Sequence, residues 1–383
     1  MQVRRPKEVG CTVALMSSPS ATKLTLVGAG KIGQAIVQLL STAPEFEVTV
    51  IDRDDTALTP LRSKDVTVFE VDITDPVALA DYVGDQDMVL SAAPFHTTSI
   101  IATAARNAGA HYFDLTEDVE STRVVKGLAI DATSALVPQC GLAPGFVSIA
   151  AAELARSFDD IRSISMRVGA LPQFPTNAFK YNLTWSTDGL INEYCNPCEA
   201  IVDGKMLEVL PLEEVEAFSL DGVDYEAFNT SGGLGTLCET LLGEVETLNY
   251  KTVRYPGHRD AIKTLITDLR LSRRRDLLKE LLEDAIPITY QDVVLIFVTA
   301  SGTRNGLLMQ ETFARKVYAS EVNGRTLSAI QLTTAAGICT MADLMREGKL
   351  PQRGFVRQEQ CALSDFLANR FGSLYLRGKE VTA

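Results

Sequence analysis

The chain has 383 residues, 46% hydrophobic and 22% charged, enough for two domains and a sizeable core. A formal charge of −13 disfavours a phosphate backbone as partner, and the longest apolar runs, such as Val293–Val298, are strand-sized, far short of a membrane span. Seven scattered cysteines, odd in number, suit a reducing compartment, so the expected location is cytoplasmic.

Residues 1–22 place Arg4, Arg5 and Lys7 before a short apolar piece and read as a flexible extension, with organelle targeting as the alternative. From Lys23 to residue 145, short apolar strands alternate with helices. "KLTLVG", "EVTVID", "VTVFEVDI", "DMVLSAA", "HYFDL" and "ALVPQC" are the strands. "KIGQAIVQLL" and stretches near 76–83, 97–108 and 119–132 are the helices. This rhythm predicts a doubly wound parallel sheet, a Rossmann α/β domain. Past Gly145 the signals turn antiparallel. "IRSISMRVGAL" alternates like a half-exposed strand, "VDGKMLEVL" folds back at Asp203-Gly204, and "DVVLIFVTASG" faces "LLMQETFARKVY". Residues 146–327 are therefore expected to form an inserted mixed α/β domain for substrate and dimerisation. Residues 328–383 are expected to return as helices to the first domain, leaving a cleft between the two. A long helix opens that last stretch and stops at Gly348, with Pro351 following.

The strongest local signal is Gly28, Gly30 and Gly33 in G-x-G-x-x-G, directly after a buried strand and opening a helix at Lys31 and Ile32. That context suits a dinucleotide, with the pyrophosphate on the helix N-terminus. Asp52 closes the second strand, where an acid accepts ribose hydroxyls and repels a 2′-phosphate; Arg53 beside it could receive that phosphate. NAD is favoured over NADP. Asp72 and Ile73 are expected near the adenine, and Ala92, Ala93 and Pro94 near the nicotinamide, because ligands sit at strand C-termini in this topology. Asp114 ends the fifth strand and is the first choice for a catalytic carboxylate, with Glu117 and His96 as substitutes; helix capping by Thr116 or Asp118 competes in that loop. His258 reads as a loop or cap residue. Arg254, on a predicted strand, suits bidentate binding of a carboxylate. No metal site is expected: Cys195 and Cys198 form a lone C-x-x-C with no second pair.

"LVGAGKIGQAI", "SAAPFHTTSIIATAARNAGAHYFDL", "GLAPGF", "TWSTDGLINEYCNPCEAI", "TSGGLGTLCETL" and "LNYKTVRYPGH" together resemble the saccharopine dehydrogenase superfamily, its lysine 6-dehydrogenase branch most closely. The resemblance runs from Lys23 to about Phe371. It implies a Rossmann domain, an inserted catalytic domain, a homodimer and nicotinamide-linked oxidation of an amine. It matches Glu193, Tyr194, Asn196 and Pro197, while both cysteines fall at positions that vary. That segment then borders the substrate cleft, with Trp185 and Asn192 as substrate contacts. The implied reaction is NAD-dependent oxidative deamination of the L-lysine ε-amine to 2-aminoadipate 6-semialdehyde, which cyclises, with ammonia released. Saccharopine-forming or -cleaving and carboxynorspermidine dehydrogenases are the alternatives within the family. A non-catalytic NAD-binding scaffold is the alternative outside enzymes.

Overall fold

A computed structural model describes residues 21–377 and 379–380; the extension read into the first 22 residues lies almost wholly outside them. Strands β1 (Thr22–Val27), β2 (Phe46–Asp52), β3 (Thr67–Glu70), β4 (Met88–Ser91), β5 (His111–Asp114) and β6 (Ala135–Val137) form a parallel sheet in the order 6-5-4-1-2-3. A short strand, Gly354–Phe355, pairs parallel with β6, so the end of the chain extends the first sheet. The chain reverses direction across the sheet between β1 and β4, and a crevice opens there at the strand C-termini. Helix α1 (Lys31–Leu40) turns its apolar side inward. Its buried Gln38 amide donates to the backbone of Val322 and Asn323 at 3.0 and 2.9 Å, pinning the helix to the later part of the chain.

The second sheet follows helix α2 (Val119–Leu128) and the buried helix α3 (Phe146–Ala155). It contains β7 (Asp160–Pro172), β8 (Cys198–Val202), β9 (Lys205–Val209), β10 (Glu216–Leu220), β11 (Val223–Asn229), β12 (Val245–Arg254), β13 (Asp292–Arg304) and β14 (Leu307–Tyr318). The order is 10-11-12-7-13-14, with β8 and β9 attached beside β12. The hairpin at Asp203-Gly204 has both residues at positive φ, the backbone that matches the twist of two paired strands. β12 runs parallel to β7, so the second sheet is mixed at its centre. One local expectation needs correction. The second half of β7 is buried on both faces, because the sheet is covered there on both sides.

Between these strands stands helix α4 (Thr187–Cys195), capped by Ser186. Helix α5 (Ala329–Arg346) carries a capping box of Ser328 and Gln331. Asp292, fully buried on β13, accepts from the N–H groups of Ala329 and Ile330 at 2.5 and 3.0 Å. Sixteen of the helix's residues are buried, and Gly337 is one: a Cβ there would lie 2.5 Å from the Cys140 carbonyl oxygen. Small residues let α5 wedge between the two sheets.

Candidate active site

A cavity of about 180 Å³ lies where the two sheets meet. The nucleotide sheet contributes Ile32 from α1, Ala92 after β4, and Leu115 and Glu117 after β5. The "GLAPGF" loop adds Leu142, Ala143 and Pro144. Gly145 closes that loop at φ +134, where a Cβ would lie 2.1 Å from the Gly141 oxygen. From the second sheet come Val168 and Ala170 on β7 and Tyr250, Thr252 and Arg254 on β12. Those three alternate along the strand and so share one face. Trp185, Glu193 and α5's Ile330 and Thr334 complete the wall.

Arg254 is buried, at 2% exposure, with no carboxylate within ion-pair distance among the described residues. Its Nε donates to Tyr194 Oη at 2.9 Å and its Nη1 to the Val253 carbonyl at 2.8 Å. Tyr194 Oη lies 3.0 Å from His258 Nε2, and His258 Nδ1 lies 2.8 Å from the Phe179 carbonyl. A carbonyl only accepts, so Nδ1 carries the proton, Nε2 accepts from Tyr194, and Tyr194 accepts from Arg254. Burial, with Arg254 adding to it, holds His258 down to about 3, so the ring stays neutral and the chain keeps its direction. The Arg254 guanidinium also stands over the Tyr181 ring at 4.8 Å.

Two carboxylates face the cavity, and neither has an ion pair among the described residues; the one hydrogen bond recorded to them is from the backbone of Glu117 to its own carboxylate. Burial pushes Glu193 up to about 8; Arg254 opposes the shift and Glu117 reinforces it. Burial likewise pushes Glu117 up to about 7, with the nearby acids adding to it. Glu193 therefore stands electrostatically beside Arg254, and Glu117 on the side of the nucleotide sheet. Three other cations of the second domain are engaged elsewhere. Arg167 forks onto Glu216 with two contacts of 2.7 Å, Lys251 reaches the same carboxylate at 2.6 Å, and Lys180 donates to the Pro256 carbonyl at 2.8 Å.

Of the residues expected to touch substrate, Glu117, Trp185 and Arg254 thus meet in one cavity. Asp114 does not join them. It is 1% exposed, and its Oδ1 accepts from the N–H groups of Thr116 and Gln139 at 3.0 and 2.9 Å, tying β5 to the segment after β6. His96 sits exposed in the short turn Phe95–Thr97, edge-on to Phe95. Asn192 lines a neighbouring cavity instead, and its Oδ1 accepts from Asn196 and Arg275 at 3.1 and 2.9 Å. Asp118 caps α2 through the Ser121 N–H. Glu193 and Tyr194 were placed from sequence only in a segment bordering the cleft, and Tyr250 had no role; His258, read as a loop or cap residue, is instead fully buried with both ring nitrogens engaged. The two-residue period of Tyr250, Thr252 and Arg254 was the available signal for the β12 face.

The glycine loop fits a dinucleotide. A Cβ on Gly33 would lie 2.0 Å from the Gly28 oxygen, so helix and loop need glycine to approach. At Gly30 a Cβ would meet nothing within 4 Å, which leaves room over the loop. No side chain caps α1, so the N–H groups at Lys31, Ile32 and Gly33 keep their donors for an anion. Asp52 reaches the loop, its Oδ2 accepting from the Ala29 N–H at 2.6 Å, and Arg53 is exposed. Asp72 caps its own turn at Thr74, with Ile73 partly buried beside it. Ala92 and Ala93 are partly buried and Pro94 exposed after β4. Among the described residues no histidine, cysteine and carboxylate group could hold a metal, and no helix is long and apolar enough to cross a membrane.

Fold and site define a dinucleotide-binding α/β protein with a charged cavity between two sheets. Residues 24–137 match the saccharopine dehydrogenase NADP binding domain and residues 141–374 the saccharopine dehydrogenase C-terminal domain; the chain belongs to the saccharopine dehydrogenase family. It is 21% identical to the rat mitochondrial alpha-aminoadipic semialdehyde synthase over 82% of its own length and 35% of the relative's. It is 25% identical to saccharopine dehydrogenase [NADP(+), L-glutamate-forming] of Saccharomyces cerevisiae, over 63% of its own length and 56% of the relative's. The chain thus spans about a third to a half of these curated relatives. The solved apo saccharopine dehydrogenase (L-Glu forming) from the same yeast shares the fold, with a TM-score of 0.73 at 17% identity over 95% of this chain and all of that one.

Proposed function

We propose that the protein is an NAD-dependent lysine 6-dehydrogenase, converting the ε-amine of L-lysine to an aldehyde with release of ammonia. The observation that carries this is the charge inventory of the cavity: one guanidinium without a carboxylate partner and two carboxylates without a cation partner. Lysine has one carboxylate and two amines. Saccharopine, the substrate named for the yeast relatives, carries more carboxylates than one guanidinium can match.

Arg254 and Glu193 are electrostatic neighbours and suit the α-carboxylate and α-ammonium of the substrate. Glu117, on the nucleotide side, then meets the ε-nitrogen. An ammonium there, with a solution pKa of about 10.4, has to lose a proton before its carbon can be oxidised. Held near neutrality by burial, Glu117 is matched to take that proton. Trp185 and the apolar loop residues exclude water from the chain between the two ends. Gly28, Gly30, Gly33 and Asp52 would hold the dinucleotide, which when bound supplies the hydride acceptor. Asp52 favours NAD because its carboxylate repels a 2′-phosphate.

Nicotinamide absorbance with L-lysine and with saccharopine, each with NAD and NADP, tests the reading. Signal from lysine with NAD, and ammonia released, supports it. Signal from saccharopine alone moves the assignment to the relatives' substrate. Silence in every arm with NAD bound leaves a nucleotide-binding scaffold. The homodimer implied by the family is part of the same proposal; sedimentation at twice the 41.6 kDa chain mass supports it and sedimentation at the chain mass removes it.

A further inference from the structure

A second cavity, of about 190 Å³, adjoins the first; Glu117 and Glu193 line both. Its outer wall includes Glu199 on β8 and Glu208 on β9, which stand directly opposite each other in the antiparallel register. Like charges in that position repel unless a cation lies between them. Arg123 is on the wall, but it is drawn to Glu120 at 3.1 Å and reaches Glu199 only at 3.8 Å. The inner wall carries Asn192, 6% exposed, whose Nδ2 has no partner. Its orientation is set because Asn196 and Arg275 both donate to Oδ1. Glu193, also 6% exposed, presents its unpartnered carboxylate beside it.

One buried carboxylate, Glu193, and one buried donor without an acceptor, Asn192 Nδ2, beside the partly buried Glu117 and Glu199 and the exposed Glu208, call for small polar occupants. Ammonium donates to several carboxylates at once, and water serves Asn192 Nδ2. Both are participants in the deamination: water supplies the aldehyde oxygen, and the C–N bond breaks to release the nitrogen. We propose that this second cavity is an ammonium site, which takes the ammonium leaving the active site between Glu117 and Glu193 and passes it to solvent past Glu199 and Glu208. The assignment rests on the lysine-deamination reading, so its test is made without turnover.

Thermal-shift titration of the full chain with NH4Cl, KCl and tetramethylammonium chloride, at constant ionic strength and without lysine or dinucleotide, is the experiment. Ammonium is expected to give a saturable rise in the unfolding midpoint, potassium a weaker one and tetramethylammonium none. Glu199→Gln with Glu208→Gln should raise the apparent dissociation constant about tenfold. In the absence of ammonium that variant should unfold no earlier than the parent, because a repulsive pair is removed. Equal responses to ammonium and potassium, a response to tetramethylammonium, or unchanged affinity in the double variant overturns the proposal. Lysine turnover without ammonium binding removes this site alone. Ammonium binding without lysine turnover removes the deamination reading and leaves the site standing.

Discussion

At the scale of single residues, burial does most of the chemical work. A guanidinium cut off from water costs stability unless its donors are used, and Arg254 uses them on Tyr194 and Val253 while keeping its charge for the cavity. Tyr194→Phe leaves Arg254 Nε and His258 Nε2 without their partner. The expected result is a rise in KM for lysine of roughly tenfold with a smaller change in kcat, since a positioning contact worth about 1–2 kcal/mol is lost. Steady-state kinetics check this; an equal fall in kcat alone would contradict the positioning role. Glu117 brings a pH dependence. Its pKa is raised to about 7, so it is protonated and unable to accept a proton below that pH and competent above it. The rate should therefore climb through about pH 7, well apart from any limb of the substrate amine near 10.4. In a pH profile of kcat/KM, Glu117→Gln should abolish that limb and lower the rate about a hundredfold or more. Asp114 shows the limit of residue-level reading. Its place at the end of β5 was visible in the chain, but the same place is where backbone N–H groups converge, and Thr116 and Gln139 both claim Oδ1 while Oδ2 stays buried without a partner and away from the cavity lining.

At the scale of elements, the β1–α1 turn was legible almost entirely, because its constraints are local: a buried strand, a tight turn and a helix N-terminus within a dozen residues. Two glycines in it play different parts. Gly33→Ala puts a methyl 2.0 Å from the Gly28 oxygen and should lower the unfolding midpoint with or without dinucleotide. Gly30→Ala has open room at negative φ, so the midpoint of the free protein should hold. The added methyl would occupy the space over the loop, and dinucleotide affinity should fall, about tenfold or more, in a fluorescence titration. The β12 stretch was legible only in part. Arg254 stood out as a strand guanidinium, whereas Tyr250 and Thr252 belong to the site because β12 lies parallel to β7, a pairing between segments some 80 residues apart in register.

At the scale of the whole molecule, α5 joins the two sheets. Its N-terminus is held by Asp292 of the second sheet, and its body lies against the loop at Cys140 and Gly141. Asp292→Ala orphans two buried N–H groups at this joint. It should cost roughly 2–4 kcal/mol in denaturant unfolding, and Asp292→Asn should recover only part of it, because its single amide oxygen can accept from one of the two N–H groups while its NH2 meets the other. Periodicity and glycine spacing pointed by themselves to the α/β class and the dinucleotide loop, while Arg254 and Glu117 stood in the sequence only as candidates, Glu117 behind Asp114. Each of those signals depends on neighbours within a turn or a strand. Only the tertiary structure decided which carboxylates face the cavity and which hold backbone, that Glu193 joins Glu117 there while Asp114 and His96 do not, and that Arg167 and Lys251 are already paired. Side-chain availability depends on partners that the chain brings together from distant segments, and burial, which moves the acids toward neutrality, exists only once the two sheets have closed on each other.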